Sequence, residues 1–213
     1  MNRYLFVLFF SVCFTFFAIS QQKLSGFLFE DFQDATVHFV GGALSNEKVN
    51  YNMLDKSLYF VDKSDDMIKI VSDIDRIGFI RISERHFIPT QNGMQEVLKT
   101  TPVIYVEYFA KGRIKPQKGG FGATGVASIN TYTDFRSGGQ YTLKEHEIEV
   151  SGYYNSYWIE LNGKKRKFDD FKQFLKIYSK HKIVLDKHIK DNNIEFNDVD
   201  EIVNLCLYAE SLK

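Results

Sequence analysis

Gly120-Phe121-Gly122-Ala123-Thr124-Gly125 satisfies G-x-G-x-x-G, the pattern that seats a dinucleotide pyrophosphate on a tight turn and a helix N-terminus. That chemistry needs a strand directly before the glycines and a helix directly after them. It also needs an acid about twenty residues further on, at the end of the next strand. Here "KGRIKPQKG" separates the glycines from the preceding strand. "VASINTYTDF" follows them, β-branched and polar, and is poor as a helix. Glu145 stands at the right distance, but in mid-strand among other acids. The glycines are therefore expected to serve the conformation of a loop, and no cofactor is expected.

Other residues are weighed the same way. Glu145, Glu147 and Glu149 recur at every second position. Paired carboxylates could supply the acid and the base or nucleophile of a hydrolase acting on glycan or peptidoglycan. A solvated strand face is the simpler use of like charges. His38, His86, His146, His181 and His188 are scattered, with no H-E-x-x-H and no C-x-x-C, so no metal is expected. No Gly-x-Ser-x-Gly occurs. Cys206 falls on an apolar helical stripe and reads as a buried, inert thiol. Tyr153, Tyr154, Tyr157 and Trp158 could form a platform on which sugar rings stack, although packing in the core competes for them. Lys164, Lys165, Arg166 and Lys167 lead a basic stretch: residues 161–190 hold ten Lys or Arg against three acids. The bland reading is a solvated or helix-facing surface. The sharper one is a patch that meets anionic lipid or polysaccharide.

The elements that would position these residues divide the chain. From Thr36 to Pro89 the text alternates short apolar runs with turn residues: "TVHFV", "KVNYNML", "SLYFVD", "MIKIV", "IGFIRI", "RHFIP". "SDIDRI" reads as one helical turn with Ser72 or Asp73 at its start. Strands at about Met94–Leu98 and Val103–Phe109 extend the set. This spacing predicts a small antiparallel barrel or curled sheet, with a strand order similar to SH3-like or Sm-like barrels. In "KVNYNML", Val49, Tyr51 and Met53 are placed on one face, Asn50 and Asn52 on the other.

Residues 111–140 hold seven of the 14 glycines and read as one long flexible loop. "QYTLKEHEIEV" reads as a strand after it. Asn162-Gly163 between "SYWIEL" and "KKRKF" predicts a type I′ hairpin. Helices follow. The first is capped by Asp169 or Asp170 and carries Phe171, Phe174, Leu175 and Tyr178. The second spans about Lys182–Lys190 with Val184, Leu185, His188 and Ile189. The third is capped by Asn197 or Asp198 and carries Ile202, Val203, Leu205, Cys206 and Ala209.

The amino terminus points to export. Arg3, the apolar run Tyr4–Phe17, and small Ala18 and Ser20 compose a secretory signal over residues 1–20, with cleavage expected between Ser20 and Gln21. Val12 before Cys13 argues against a lipid anchor. The chain beyond residue 20 keeps only Cys206, so stability is expected to come from packing rather than a disulfide. It carries 26 basic and 27 acidic residues, and this balance gives no global field for nucleic acid.

Taken in order, "NYNML", "DIDRI", "FIP", "EVL", the Gly/Ser/Thr-rich loop, "YWIELNGKKRKF" and "KQFLKIYSKHK" followed by "NNIEFND" resemble an uncharacterised family of exported proteins common in Bacteroidota. The resemblance covers nearly all of the chain beyond residue 20. It departs at Ser179-Lys180-His181, where that family usually reads Pro-Asp-Lys, and in a loop poorer in proline. It implies a β-rich N-terminal part and a helical tail, and it brings no catalytic residues.

The expected protein is α+β: a signal peptide (1–20), a β-rich domain (21–110), a loop (111–140), and a β-hairpin with a three-helix bundle (141–213). The expected role is non-enzymatic, in the periplasm or associated with the outer membrane, with peripheral contact to that membrane. The expected partner is another envelope protein or a surface polymer, not nucleic acid. Contact residues are expected in the loop (Phe121, Tyr132, Phe135, Arg136) and the hairpin (Lys164, Lys165, Arg166, Lys167). Hydrolysis through Glu145 and Glu147 is one alternative, and carriage of a small ligand inside the barrel is another.

Overall fold

The computed structural model describes residues 26–114, 128–129 and 148–213. Eleven strands form one antiparallel sheet: β1 (Gln33–Phe39), β2 (Leu44–Asn52), β3 (Ser57–Val61), β4 (Ile68–Ile70), β5 (Ile77–Ile82), β6 (Arg85–Thr90), β7 (Gly93–Thr100), β8 (Val103–Ile114), β9 (Ser128–Ile129), β10 (Ile148–Leu161) and β11 (Lys164–Phe168). Their order is β11-β10-β8-β7-β6-β5-β1-β2-β3-β4, with β9 beside the end of β8. Three helices follow, α1 (Phe171–Ile177), α2 (Lys182–Asp191) and α3 (Val199–Ser211). The chain is therefore mixed, a large antiparallel sheet with helices at its C-terminal end. The sheet curls but is not closed into a barrel: β4 and β11 are the two ends of the pairing path.

The local signals act as physics requires. Asn162 and Gly163 have φ of 52° and 70°, the left-handed pair that a I′ turn needs to match the twist of its strands. Asp170 accepts a hydrogen bond from the Gln173 amide at the start of α1, and Asp198 from the Glu201 amide at the start of α3. The single helical turn before β5, Ile74–Arg76, has Asp73 at its cap position, but the Asp73 side chain makes no capping bond.

Two apolar clusters sit on the inner face of the sheet. One joins Val37, Val49, Tyr51, Leu58, Ile80 and Phe87 within the curl. The other lies between the sheet and the helices, where Ile104 and Val106 of β8 and Tyr157, Ile159 and Phe168 of the hairpin meet Phe174, Leu185, Ile202, Leu205 and Cys206. Each helix is too short to persist alone in water, so this shared core is what holds it. Val184, expected on the buried stripe of α2, is instead 47% exposed, because Leu185 and Ile189 alone meet the core.

Between the clusters lies a polar junction. Arg85 donates to both carboxylate oxygens of Glu96, from Nε at 2.8 Å and Nη2 at 2.7 Å. Tyr108 donates to Glu96 Oε2 and accepts from Arg85 Nη2. The guanidinium also lies over the rings of Phe29 and Phe87.

The strand pair β7–β8 runs from Thr100/Val103 to Glu96/Val106, with a shift of register between Val97 and Lys99. Beyond it the turn between β2 and β3 reaches the edge of β8: the Ala110 amide donates to Met53 O at 3.1 Å. Gly93, at φ +131°, makes this approach feasible, since a Cβ there would come within 2.4 Å of Tyr51 Oη.

Asn50 and Asn52 depart from the expected polar face, being 0% and 4% exposed. The segment at residues 27–31 crosses β2 there and needs partners for its backbone. Asn50 accepts from the Phe29 amide and donates to Phe29 O, and Asn52 accepts from the amides of Leu54 and Asp55. Within the span expected as a loop, Lys111–Ile114 continue β8 along its ladder with β10, and Ser128–Ile129 pair with Gly112 and Arg113.

Candidate functional site: an aromatic and lysine face

Strand alternation places the odd-numbered residues of β8 on the outer face, away from both cores. Tyr105, Glu107 and Phe109 stand there opposite Trp158, Ser156 and Tyr154 of β10. Lys167 of β11 stands opposite Trp158, and Lys165 opposite Glu160. Gln95 of β7 and Lys56 of the β2–β3 turn complete the patch from the other side.

Rings and ammonium groups interleave across this face. Phe109 and Tyr154 stack with centroids 4.9 Å apart. Lys56 lies 4.5 Å above Phe109 and Lys111 5.2 Å above Tyr154. Lys165 lies 3.7 Å above Tyr105, and Lys167 5.3 Å from the centroid of Trp158. Such contacts contribute about 0.5–1 kcal/mol each at exposed sites. They fix the direction of the lysines without removing them from reach of a ligand.

Acidic groups on the same face already have uses. Glu160 accepts from Tyr105 Oη at 2.7 Å. Burial, followed by that bond to a carboxylate, pushes the Tyr105 phenol up to about 12. Asp169 accepts from Ser156 Oγ and pairs with Lys167 at 3.1 Å. Lys165 donates to Gln95 Oε1 at 2.6 Å, and its partial burial lowers its pKa from the ordinary lysine value.

Glu107 differs from these. It is 2% exposed, yet among the described residues its Oε1 accepts no hydrogen bond. Lys56 Nζ stands 3.8 Å away, close enough for Coulomb attraction and too far for a hydrogen bond. Desolvation raises the Glu107 carboxyl above the usual range, against the opposing pull of Lys56 and Lys167. The face thus presents lysines and ring edges to solvent and keeps one underused acceptor beneath them.

No family model, curated protein or solved structure matches this chain.

The residues singled out by sequence are distributed as follows. The four-residue aromatic platform is divided by strand alternation: Tyr154 and Trp158 share the outer face, while Tyr157 is fully buried and stacks on Phe168 in the helix core. Tyr153, opposite Ala110, points to the inner side of the sheet and is 53% exposed. The basic run divides likewise. Lys165 and Lys167 lie over aromatic rings, while Lys164 and Arg166 are exposed on the opposite face of β11. Phe121, Tyr132, Phe135, Arg136, Glu145, His146 and Glu147 lie outside the described residues. Glu149 is described, and its carboxylate is paired with Arg113 Nη2 at 2.9 Å.

His38 stacks on Phe79, and His188 on Tyr208. Cys206 is fully buried, and desolvation pushes its thiol up to about 12, which suppresses the thiolate. A groove of about 660 Å³ lies elsewhere, across β1, β2 and β5. It is lined by acids and bases together, with Lys63 paired to Glu47 at 3.2 Å, and it offers no convergent chemistry.

Sequence reasoning missed Tyr105, Glu107, Phe109, Gln95 and Lys56 as members of one surface. The alternation in "YVEYFAK" carried the signal for β8, but the pairings to β7, β10 and the β2–β3 turn are non-local.

Proposed function

We propose that the chain is a non-enzymatic binding protein of the cell envelope that holds a surface polymer along the outer face of β8 and β10. The observation that carries this reading is the interleaving of Trp158, Tyr105, Phe109 and Tyr154 with four lysines on one face of the sheet. Flat rings flanked by oriented cations suit an extended chain laid across strands. Trp158 and Tyr154 are four residues apart on one strand, so the platform spans about 13 Å. A polymer fits that geometry better than another folded envelope protein, whose binding centre is usually a well-packed, desolvated pocket.

Export through the N-terminal signal, residence in the periplasm or at the outer membrane, and kinship with the Bacteroidota family belong to the same proposal. So does the finer reading of the scaffold, in which the curled half acts as an SH3-like or Sm-like barrel and the three helices as a bundle bracing the hairpin.

Protease-treated envelope polymer from an expressing cell tests it. Immobilised wild-type protein retains the material, while the Trp158→Ala, Tyr154→Ala double variant, folded to the same unfolding midpoint, releases it. Equal retention by both refutes the assignment of this face.

A further inference from the structure

The outer face also bears on the chemical class of its occupant. We propose that it binds an acidic polysaccharide, whose sugar rings stack on Trp158 and Tyr154 and whose carboxylates draw Lys165 and Lys167 off the aromatic rings. This deepens the polymer-binding reading and rests on it.

Charge argues for an anion. Lys56, Lys111, Lys165 and Lys167 all reach this surface and lie over rings, Lys56 facing Glu107 and Lys167 pairing with Asp169 as well. The acids are occupied: Glu160 by Tyr105, Asp169 by Ser156 and Lys167. Glu107 lies beneath the surface. Four ammonium groups therefore stand against the two carboxylates of Glu160 and Asp169 at the surface, and the exposed balance is positive.

The rings argue for a sugar rather than a small anion. Tyr154, backed by buried Phe109, and half-buried Trp158 offer apolar ring surface at the two ends of the platform, and lysine stems extend the apolar area between them.

Glu107 argues for a ligand that carries hydroxyls. Its Oε1 is buried and accepts no hydrogen bond among the described residues, and it faces Lys56 across 3.8 Å. When Lys56 turns toward a carboxylate of the ligand, this acceptor becomes available to a hydroxyl donor. An oligothymidylate chain has no such donor, whereas uronic acids and the phosphatidylglycerol headgroup carry hydroxyls; between those two the stacking rings favour the sugar.

Trp158 is the only tryptophan in the chain, so its emission reports this site directly. The intact protein is titrated with polygalacturonate, with its methyl-esterified form, with dextran, with phosphatidylglycerol vesicles and with an oligothymidylate. Saturable change is expected with polygalacturonate alone. It should weaken with added salt and fall by about tenfold or more in the Lys165→Gln, Lys167→Gln variant, because exposed cation contacts act through screened charge. Equal response to the esterified polymer or dextran overturns the acidic class. Response only to vesicles or to the oligonucleotide overturns the glycan. No response to any probe, while envelope polymer is still retained by Trp158 and Tyr154, overturns this inference and spares the reading beneath it. Loss of that retention as well overturns both.

Discussion

Removing Arg85 should cost more stability than removing its partner Glu96, although the two share the same hydrogen bonds. The reason is their unequal access to water. The Arg85 side chain is 35% exposed and the Glu96 side chain 7%. Arg85→Ala leaves a carboxylate in the junction between the two cores with Tyr108 as its remaining hydrogen-bond partner. Breaking a buried pair in this way costs about 3–5 kcal/mol. The bond from Tyr108 puts this case near the lower limit, about 3 kcal/mol. Glu96→Ala frees a guanidinium that can turn toward solvent and keep its place over Phe29 and Phe87. The loss there is nearer that of charged hydrogen bonds, about 2 kcal/mol.

Urea unfolding followed by circular dichroism measures both losses. A shift of about 2–4 °C in Tm per kcal/mol gives an independent check by calorimetry for a chain of this size. If Glu96→Ala is as damaging as Arg85→Ala, the reasoning from exposure fails.

Gly93→Ala should destabilise by about 2–4 kcal/mol, because the new Cβ meets Tyr51 Oη and φ is +131°. Tyr51→Phe in the same background removes the clashing oxygen and should recover part of the loss in urea unfolding; no recovery means that the contact was misassigned. Cys206 should be inert to a thiol reagent such as 5,5′-dithiobis(2-nitrobenzoic acid) in the native protein and react only on unfolding, since it is fully buried and its thiol is raised to about 12. Stoichiometric labelling under native conditions would contradict the packing of α3.

Short-range features were legible because their causes are local. Asn162-Gly163 specifies its turn by the need for positive φ, and Asp170 and Asp198 announce helix starts through the side-chain oxygens that caps require. The stripe through Ile202, Leu205, Cys206 and Ala209 showed its period and is buried. The candidate site was only half legible. "YYNSYW" displayed its aromatics, yet which of them share a face depends on strand alternation, and this separates Tyr154 and Trp158 from Tyr157. Lys165 and Lys167 were visible as charge, but their seats on Tyr105 and Trp158 depend on pairings between residues far apart in sequence. Asn50 and Asn52 misled, because a polar residue in an alternating strand normally faces water. Here the crossing segment at 27–31 supplies hydrogen-bond partners for Asn50, and the turn amides of Leu54 and Asp55 supply them for Asn52, which makes burial favourable.

Accessibility of Trp158 tests the central claim most directly. Acrylamide quenching of its fluorescence is measured with and without protease-treated envelope polymer. Its half-buried ring on the outer face should be quenched readily in the free protein and lose about half of that quenching when a chain lies across β8 and β10. Quenching that stays constant as the polymer saturates the protein would place the contact elsewhere and contradict the account.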